Sequence, residues 1–143
     1  MTVEAILRRK GPNVVTTTPE TSIKSAAELM REKNIAALMV VKDGTTLGIV
    51  TERDIVRAFA CDGGAIGGKP VQDIMTSKLI TGTPADSVKH VMQVMTAKRI
   101  RHFPVYKDGK LAGLVSIGDV VRHRVQDLEL EKNVLRDAYI AAR

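Results

Sequence analysis

The feature that most restricts how this chain can fold is an internal repeat. When the sequence is shifted by 65 positions, residues 15–57 align with residues 80–122 without a gap, and about 17 of these 43 positions are identical. The identities fall in blocks, the longest being Lys42-Asp43-Gly44 over Lys107-Asp108-Gly109. Self-similarity of this kind indicates that two copies of one supersecondary unit build the fold.

Each copy begins with a short extended piece and a helix. The extended pieces, residues 14–17 and 79–82, are followed by Thr-Pro, and the residue before a proline is disfavoured in a helix. Apolar residues then recur at spacings of three and four. This periodicity predicts helices over Ser22–Lys33 and Ser87–Lys98.

Two apolar runs around an Asp-Gly pair come next in each copy. They are Leu38–Val41 and Leu47–Val50 in the first copy, and Phe103–Tyr106 and Leu111–Val115 in the second. Asp-Gly between such runs is typical of a two-residue β-hairpin turn. A second helix is expected to begin at Thr51 and at Ser116. Each copy is therefore predicted to be a strand–helix–strand–strand–helix unit, and the fold class is α/β.

Two segments lie outside the repeat. Cys61–Lys69 holds four glycines and is interpreted as a flexible connector, and Pro70–Met75 as a short helical turn. The C-terminal segment from Asp119 lacks Gly and Pro and is expected to be helical. An approximate heptad seam, interrupted by Lys132, runs along it through Val121, Val125, Leu128, Leu135 and Tyr139. Two interpretations are open: a long helix packed on its own domain, or a coiled coil between two chains.

Composition excludes several classes of protein. With 143 residues, 44% of them apolar, the chain can bury a core, which excludes a disordered chain. No apolar run approaches the roughly 20 residues needed to cross a bilayer, and the first residues do not resemble a secretion signal. Cys61 is the only cysteine, so an internal disulfide is excluded. We expect a cytoplasmic protein without a membrane partner.

The net charge favours anionic partners. At +6, the chain suits nucleic acid, acidic lipid and phosphorylated small molecules alike. Aromatic residues make up only 3% of the sequence, whereas single-stranded nucleic acids bind by stacking on aromatic side chains. No helix-turn-helix pattern fits the repeat either. Nucleic acid is therefore the less favoured partner.

Motifs for catalysis are weak. Gly63–Lys69 matches the spacing of a phosphate-binding P-loop, but Pro70 stands where the Mg²⁺-binding hydroxyl belongs. Three histidines fall in different predicted elements, and none has a carboxylate at the spacing of a metal site or catalytic triad: His90, His102 and His123. We expect no enzyme activity, no catalytic cofactor and no metal site.

A polar signature, Gly-x-Val-Thr/Ser-x-x-Asp, ends at Asp54 in the first copy and at Asp119 in the second. Thr51 or Ser116, with the aspartate three residues later, forms a capping box, and helix capping alone is one interpretation. Ligand binding is the other, because a helix N-terminus attracts anions and a carboxylate accepts hydrogen bonds from the hydroxyls of a ribose.

The second copy adds two basic side chains. Arg101 and His102 precede its apolar strand, and an arginine can hold a phosphate through two parallel hydrogen bonds. Ala36 and Ala37 stand at the same positions of the first copy, so the two copies are chemically unequal. The alternative is that Arg101 is a solvated surface charge.

In this order, the motifs resemble a tandem pair of CBS (cystathionine-β-synthase-type) motifs, which together form a Bateman module. The residues that carry the resemblance span nearly the whole chain: Thr16–Pro19, Ile35–Asp43, Gly48–Asp54, Val71–Thr76, Ile100–Asp108 and Gly113–Asp119. The resemblance implies two tandem β-α-β-β-α repeats related by a pseudo-two-fold axis, with small sheets, flanking helices and a C-terminal helical extension. The module is then residues 1–143, with CBS motif 1 and its Gly-rich linker at 8–68, motif 2 at 75–132 and the C-terminal helix at 120–143.

The resemblance also implies a ligand. Members bind adenosine-containing molecules (AMP, ADP, ATP, S-adenosylmethionine or NAD(H)) in two clefts between the repeats, and often form homodimers through the repeat helices. Carried onto this sequence, the first cleft takes Thr51, Arg53 and Asp54 with Thr81. The second cleft takes Ser116, Gly118 and Asp119 with Thr16 and the Ala36-Ala37 backbone. Phosphates in either cleft would be reached by Arg101 and His102.

The first copy departs from the second, because Met39 stands in the place of Pro104 and the basic pair is missing. Whether both clefts are occupied is therefore open. The leading hypothesis is a regulatory module that senses an adenine nucleotide and acts in trans on an effector protein. The alternatives are a structural or dimerisation module, in which both aspartates only cap helices, and a nucleic-acid binder.

Overall fold

The structure, a computed structural model that describes residues 1–142, divides the chain into two units. The first-repeat unit is Asn13–Ile80, and the second-repeat unit joins Met1–Pro12 to the chain from Thr81 onward. Within the described residues, α-helices cover Val3–Lys10 (α1), Ile23–Lys33 (α2), Glu52–Asp62 (α3), Val88–Lys98 (α4) and Ile117–Ala141 (α5). Strands cover Thr16–Thr17 (β1), Ala37–Lys42 (β2), Thr45–Thr51 (β3), His102–Lys107 (β4) and Lys110–Ser116 (β5).

Both predicted hairpins are present. β2 pairs antiparallel with β3, and β4 with β5. Asp43 and Gly44 have positive φ values of 52° and 77°, and Asp108 and Gly109 have 51° and 75°. Two successive positive φ angles are what a type I′ turn requires, so Asp-Gly sets the register of each hairpin.

The first strand differs between the copies. β1 pairs in parallel with β2, and the Met39 N–H donates to the Val15 carbonyl oxygen at 3.3 Å. In the second copy, the predicted extended piece makes only a single bridge, between Gly82 and Val105. Pro104 occupies the place of Met39 and has no N–H to donate, so the equivalent hydrogen bond cannot form. The expected strand over residues 79–82 was therefore wrong in length.

Helices α2 and α4 begin and end where the sequence predicts. Ser22 Oγ accepts a hydrogen bond from the Ser25 N–H, and Ser87 Oγ accepts one from the His90 N–H. These serines satisfy backbone donors that the first helical turn leaves unpaired.

The glycine-rich segment is not an irregular connector. Gly63–Gly68 forms a 3₁₀ helix, and Val71–Asp73 forms the predicted short turn. Ile66 is only 4% exposed and joins the aliphatic core of the first-repeat unit, formed with Ile23, Ala26, Met30, Leu38, Val40, Val50 and Val71. The prediction of a flexible connector was wrong because it counted the glycines and overlooked the isoleucine among them.

Helix α1, which was not predicted from the sequence, completes the second-repeat unit. Val3 and Ile6 are buried, and the Val3 N–H donates to the Asp86 carbonyl oxygen at 2.9 Å. Leu7 lies against Gly113, where an added Cβ would come within 2.4 Å of its side chain. At the equivalent position of the first-repeat unit, Gly48 lies against the Met75-Thr76 segment. The two units thus cover the same face of their hairpins with different parts of the chain.

Helix α5 begins at Ile117, directly after its predicted start at Ser116, and continues through the predicted C-terminal helix of 120–143 as far as Ala141. Arg143 lies outside the described residues. Its buried residues are confined to the first two turns: Asp119, Val120 and His123. The five apolar residues of the predicted seam are all exposed. This exposure counts against a helix packed on its own domain along its whole length. None of the described helices is long and apolar enough to pass through a membrane.

Candidate functional site

The predicted polar signature lies where a strand ends and a helix begins in both units. Ser116 Oγ accepts from the Asp119 N–H at 3.1 Å, and Asp119 Oδ2 accepts from the Ser116 N–H at 2.9 Å. Thr51 and Asp54 make the same pair of hydrogen bonds, and the Thr51 hydroxyl also donates to Asp54 Oδ2 at 3.1 Å. Both signatures are complete capping boxes. The capping interpretation is therefore confirmed, and any binding role has to be additional.

Asp119 differs from Asp54 in its cationic partners. The Lys10 Nζ of α1 donates to Asp119 Oδ2 at 2.7 Å, and Arg122 Nη2 donates to Oδ1 at 2.6 Å. Lys10 Nζ also donates to the Leu114 carbonyl oxygen at 2.6 Å. The Asp119 carboxylate is only 8% exposed.

The partners keep Asp119 ionised. Burial raises the pKa of Asp119, but the hydrogen bonds from Lys10 and from the Ser116 N–H, with the Lys10 charge, outweigh burial and hold the pKa below its ordinary value. A charged acceptor therefore remains available at neutral pH beside the start of α5.

His102 and Arg101 lie at the same junction. His102 is directly opposite Ser116 in the β4–β5 ladder, and the Ile117 N–H donates to the Arg101 carbonyl oxygen at 2.8 Å. Burial lowers the pKa of His102, and the charges of Lys10 and Arg101 lower it further, while the Asp119 charge opposes them. His102 is therefore neutral at pH 7, and Arg101 is exposed. The structure brings Arg101 and His102 together with Ser116 and Asp119 at the start of α5.

A cavity of about 200 Å³ lies beside this junction, within the second-repeat unit. It is lined by Ile6, Arg9, Lys10, Asp119, Arg122, His123 and Gln126. Pockets that enclose a whole drug-sized ligand are about 300–1,000 Å³, so this one has room for a fragment such as a phosphate or a sugar. Its basic lining favours an anionic fragment.

His123 is the most buried polar side chain of the cavity. It is 3% exposed, and its Nε2 has no hydrogen-bond partner within the described residues. Its Nδ1 lies 3.5 Å from Arg9 Nη1, and its Nε2 lies 3.6 Å from Asp127 Oδ2. The Arg9 side chain also donates to the Gln126 side-chain oxygen. No group of three His, Cys, Asp or Glu side chains in residues 1–142 is arranged to hold a metal ion.

The first-repeat unit presents a different surface. Ala37 is opposite Thr51 in the β2–β3 ladder, and the Glu52 N–H donates to the Ala36 carbonyl oxygen at 3.0 Å. A groove of about 620 Å³ runs between α2 and α3, lined by Ala27, Met30, Arg31, Asn34, Ile35, Ala36, Glu52, Ile55 and Val56. Of the predicted site residues only Ala36 lines it, since Thr51, Arg53 and Asp54 do not. This groove has one basic and one acidic side chain and is not an anion site.

The remaining predicted residues lie apart from these cavities. Thr16 is exposed on β1 of the first-repeat unit, and Thr81 is exposed beside Gly82 in the second-repeat unit. Gly118 lies in the first turn of α5, where an added Cβ would be 3.5 Å from the Arg122 side chain. The two clefts that combine residues of both repeats stay predictions.

Of the six charged or polar side chains that line the cavity, only Asp119 was predicted as a site residue, and five were missed: Arg9, Lys10, Arg122, His123 and Gln126. Arg122 carried a signal, because Arg57 occupies the same position of the first copy and the arginine follows the aspartate by three residues. Arg9 and Lys10 carried none, since they precede the repeat and Lys10 lies 109 positions before Asp119.

Comparison with known proteins identifies the family. Residues 3–61 and 71–126 match the CBS domain family. The chain belongs to the CBS domain family. It is 40% identical to the mitochondrial CBS domain-containing protein CBSX3 of Arabidopsis thaliana, over 97% of this chain and 71% of that protein. The resemblance drawn from the repeated motifs is confirmed.

Solved CBS structures share the fold. The CBS-domain containing protein ATU1752 from Agrobacterium tumefaciens is 42% identical, with a TM-score of 0.85 over 87% of this chain and 99% of that chain. CBSX2, solved in complex with AMP, is 30% identical, with a TM-score of 0.72 over 87% and 96%. The CBS domain pair of protein MJ0100, solved with 5′-methylthioadenosine and S-adenosyl-L-methionine, is 29% identical, with a TM-score of 0.78 over 89% and 98%. The predicted mixed α/β fold with a C-terminal helix is confirmed.

Proposed function

We propose that this chain is a regulatory module that binds an adenosine-containing ligand with an anionic tail. Similar CBS structures contain AMP in one case and S-adenosyl-L-methionine with 5′-methylthioadenosine in another. The side chains around Asp119 are the observation that favours one kind of ligand, the anionic AMP, over the cationic S-adenosyl-L-methionine. Its carboxylate accepts from Lys10 and Arg122, beside a small cavity that Arg9 also lines.

The charged side chains around Asp119 favour the anionic phosphate of a nucleotide over the cationic sulfonium of S-adenosylmethionine. A carboxylate offers about four acceptor positions, and the Ser116 N–H, Lys10 and Arg122 use three of them. A ribose diol needs two acceptor positions, so one cation has to leave the carboxylate when the sugar binds. The released cation, with Arg9, is then positioned to pair with a phosphate. A positively charged sulfonium finds three cations there instead and is repelled.

The proposed ligands are therefore AMP, ADP, ATP and NAD(H), in preference to S-adenosylmethionine. Asp119 and Ser116 bind the ribose, while Lys10, Arg122, Arg101 and His102 act on the phosphates. Thr16 and the Ala36-Ala37 backbone are proposed to complete this cleft from the first-repeat unit. The other cleft, with Thr51, Arg53, Asp54 and Thr81, lacks the equivalent basic pair and is proposed to bind more weakly.

Isothermal titration of the full chain with AMP, ATP, NADH, S-adenosylmethionine and adenosine tests the proposal. AMP is expected to bind with a Kd below about 1 mM, which corresponds to about −4 kcal/mol. Asp119→Asn is expected to weaken AMP and adenosine alike, whereas Arg122→Met weakens AMP far more than adenosine. Asp54→Asn is the matched control and should change AMP binding much less than Asp119→Asn.

Two results would contradict the proposal. If none of the ligands binds below about 1 mM, the chain is not a nucleotide sensor. If S-adenosylmethionine binds more tightly than AMP, the anionic preference is wrong.

A structural or dimerisation module is the second candidate. It is favoured by the two complete capping boxes, which account for Asp54 and Asp119 without any ligand. Exposed apolar side chains on the repeat helices, Val56 and Phe59 on α3 and Met92 on α4, fit the proposed homodimer through these helices. Melting temperatures that do not change with any of the nucleotides would favour this candidate, because a ligand bound to the folded state must stabilise it.

The output of the module is proposed to be regulatory and not catalytic. It would act in trans on an effector protein in the cytoplasm, as a module of residues 1–143 with motifs at 8–68 and 75–132. Nucleotide-dependent capture of a protein from a cell extract, lost in Asp119→Asn, would identify that effector.

A further inference from the structure

Helix α5 carries an apolar seam along most of its length that its own unit leaves exposed. The seam residues are between 47% and 71% exposed: Val121, Val125, Leu128, Leu135 and Tyr139. With Lys132, they follow alternating steps of four and three, which places Val125, Lys132 and Tyr139 at a positions and Val121, Leu128 and Leu135 at d positions of a heptad. At 1.5 Å per residue, the seam is about 27 Å long.

We propose that this seam pairs with the same seam of a second copy in a parallel, in-register, two-stranded coiled coil. The proposal goes beyond nucleotide binding and does not depend on it. β-Branched valine at an a position with leucine at d positions favours two strands, and a single lysine at an a position favours a dimer over larger assemblies. The folded start of α5 overcomes the nucleation cost that would leave an isolated helix of this length marginal.

Charge complementarity selects the parallel orientation. Arg124 and Glu131 stand at g positions, and Glu129 and Arg136 at e positions. In a parallel coil each g residue faces the e residue five positions later on the other helix. Arg124 then faces Glu129 of the second copy, and Glu131 faces Arg136 of the second copy, so both pairs attract. All four side chains are exposed, and none makes an ion pair inside residues 1–142.

The antiparallel alternative is repulsive. In the antiparallel alignment that overlaps the whole seam, the two copies of residue 130 lie at the same level. Each e position then faces an e position of the second copy, and each g position faces a g position. Glu129 would then face Glu129 of the second copy, and Glu131 would face Glu131 of the second copy. Arg122 would face Arg136 of the second copy. Arg124 would face the uncharged Ala138 of the second copy. The other flanking pairs bring like charges together and oppose this orientation.

Disulfide cross-linking of the full chain tests the proposal. In a Cys61→Ser background, Leu128→Cys places two thiols at one d layer of the parallel dimer, within reach of a disulfide. Leu130→Cys is the matched control, because Leu130 is also exposed but stands off the seam at an f position. In a glutathione redox buffer, Leu128→Cys is expected to become mostly covalent dimer while Leu130→Cys stays mostly monomer. Equal yields for the two variants would overturn the proposal.

A charge exchange tests the orientation. In the Leu128→Cys background, Arg124→Glu is expected to lower the cross-linked yield severalfold, because glutamates then face each other across the seam. Adding Glu129→Arg should restore the yield, since the attraction returns with its signs reversed. Failure of this rescue would overturn the parallel pairing. So would preferential cross-linking of Leu128→Cys chains to Lys132→Cys chains, which is the antiparallel result.

Discussion

Lys10 and Asp119 form a partly buried ion pair that joins α1 to α5. Lys10→Met removes one of the two cations on a buried carboxylate, while Arg122 keeps the other. Because the Lys10 side chain is 36% exposed, we expect a loss of about 1–2 kcal/mol in the free energy of unfolding, below the ~3–5 kcal/mol of a fully buried pair. Urea denaturation measures the change.

The chain supplies a matched control for this variant. Lys42 pairs with Glu20, and both side chains are more than half exposed. Lys42→Met should therefore lower the free energy of unfolding much less than Lys10→Met does. Equal losses for the two lysines would mean that the contact with Asp119 stabilises no more than a surface pair.

The pH dependence of stability should report on His102. Burial and the charges of Lys10 and Arg101 hold the pKa of His102 below its ordinary value of 6.5, so the unfolded chain binds a proton more readily than the folded chain. The stability that neutral His102 contributes is fully present above pH 6.5 and is lost as the pH falls below 6.5 toward the folded-state pKa. Denaturant melts from pH 8 to pH 5 should show this loss in the wild-type chain. His102→Gln should flatten the curve in that window, and an unchanged curve would contradict the assignment.

At the scale of elements, two equivalent glycines make a controlled comparison. An added Cβ at Gly48 would lie 2.6 Å from the Thr76 carbonyl oxygen, which is backbone and cannot turn aside. At Gly113 the Cβ would meet only the side-chain end of Leu7, at 2.4 Å. Gly48→Ala is therefore expected to destabilise the protein by about 1–3 kcal/mol and Gly113→Ala by clearly less. Thermal denaturation of both variants measures the difference, and a larger loss at Gly113 would show that α1 cannot adjust.

The elements were largely predictable, because local chemistry decides them. Asp-Gly specifies both hairpins, and Ser22, Ser87 and the two capping boxes mark where helices begin. The failures came from contacts between distant residues. Helix α1 is stabilised by burying Val3 and Ile6 on residues more than 75 positions away, and no short window of sequence shows that. Pro104 has no N–H to donate to the carbonyl oxygen of the residue 24 positions earlier, so the first strand of the second copy is shorter than predicted.

At the scale of the whole molecule, a bound nucleotide should stabilise the fold by mass action. At an AMP concentration of about 100 times Kd, the expected gain is about 2.7 kcal/mol, or several degrees in Tm for a chain of this length. Asp119→Asn should abolish the shift at the same AMP concentration. Raising the salt concentration should reduce the shift for AMP more than that for adenosine, because screening weakens the phosphate contacts. Equal salt effects on the two ligands would contradict an electrostatic site.

The site was predictable only in part. The repeated signature identified Asp119 and Ser116, and unequal residues at equivalent positions identified Arg101 and His102. The signature does not reveal that the Asp119 carboxylate already pairs with Lys10, because this contact arises only from the tertiary packing of α1. A comparison of the two copies reveals only the residues that they have in common. Most of the cationic side chains around Asp119 are not among these common residues.

The discontinuity of the second-repeat unit has a consequence for biosynthesis. Asn13–Ile80 leaves the ribosome as one continuous stretch and can fold as soon as it is out. Helix α1 precedes it but has to wait for Asp119, which is made 109 residues after Lys10, about 5–20 s later at ordinary rates of translation. Helix α1 is thus made before the first-repeat unit, yet its last contacts form only after most of the second-repeat unit has followed.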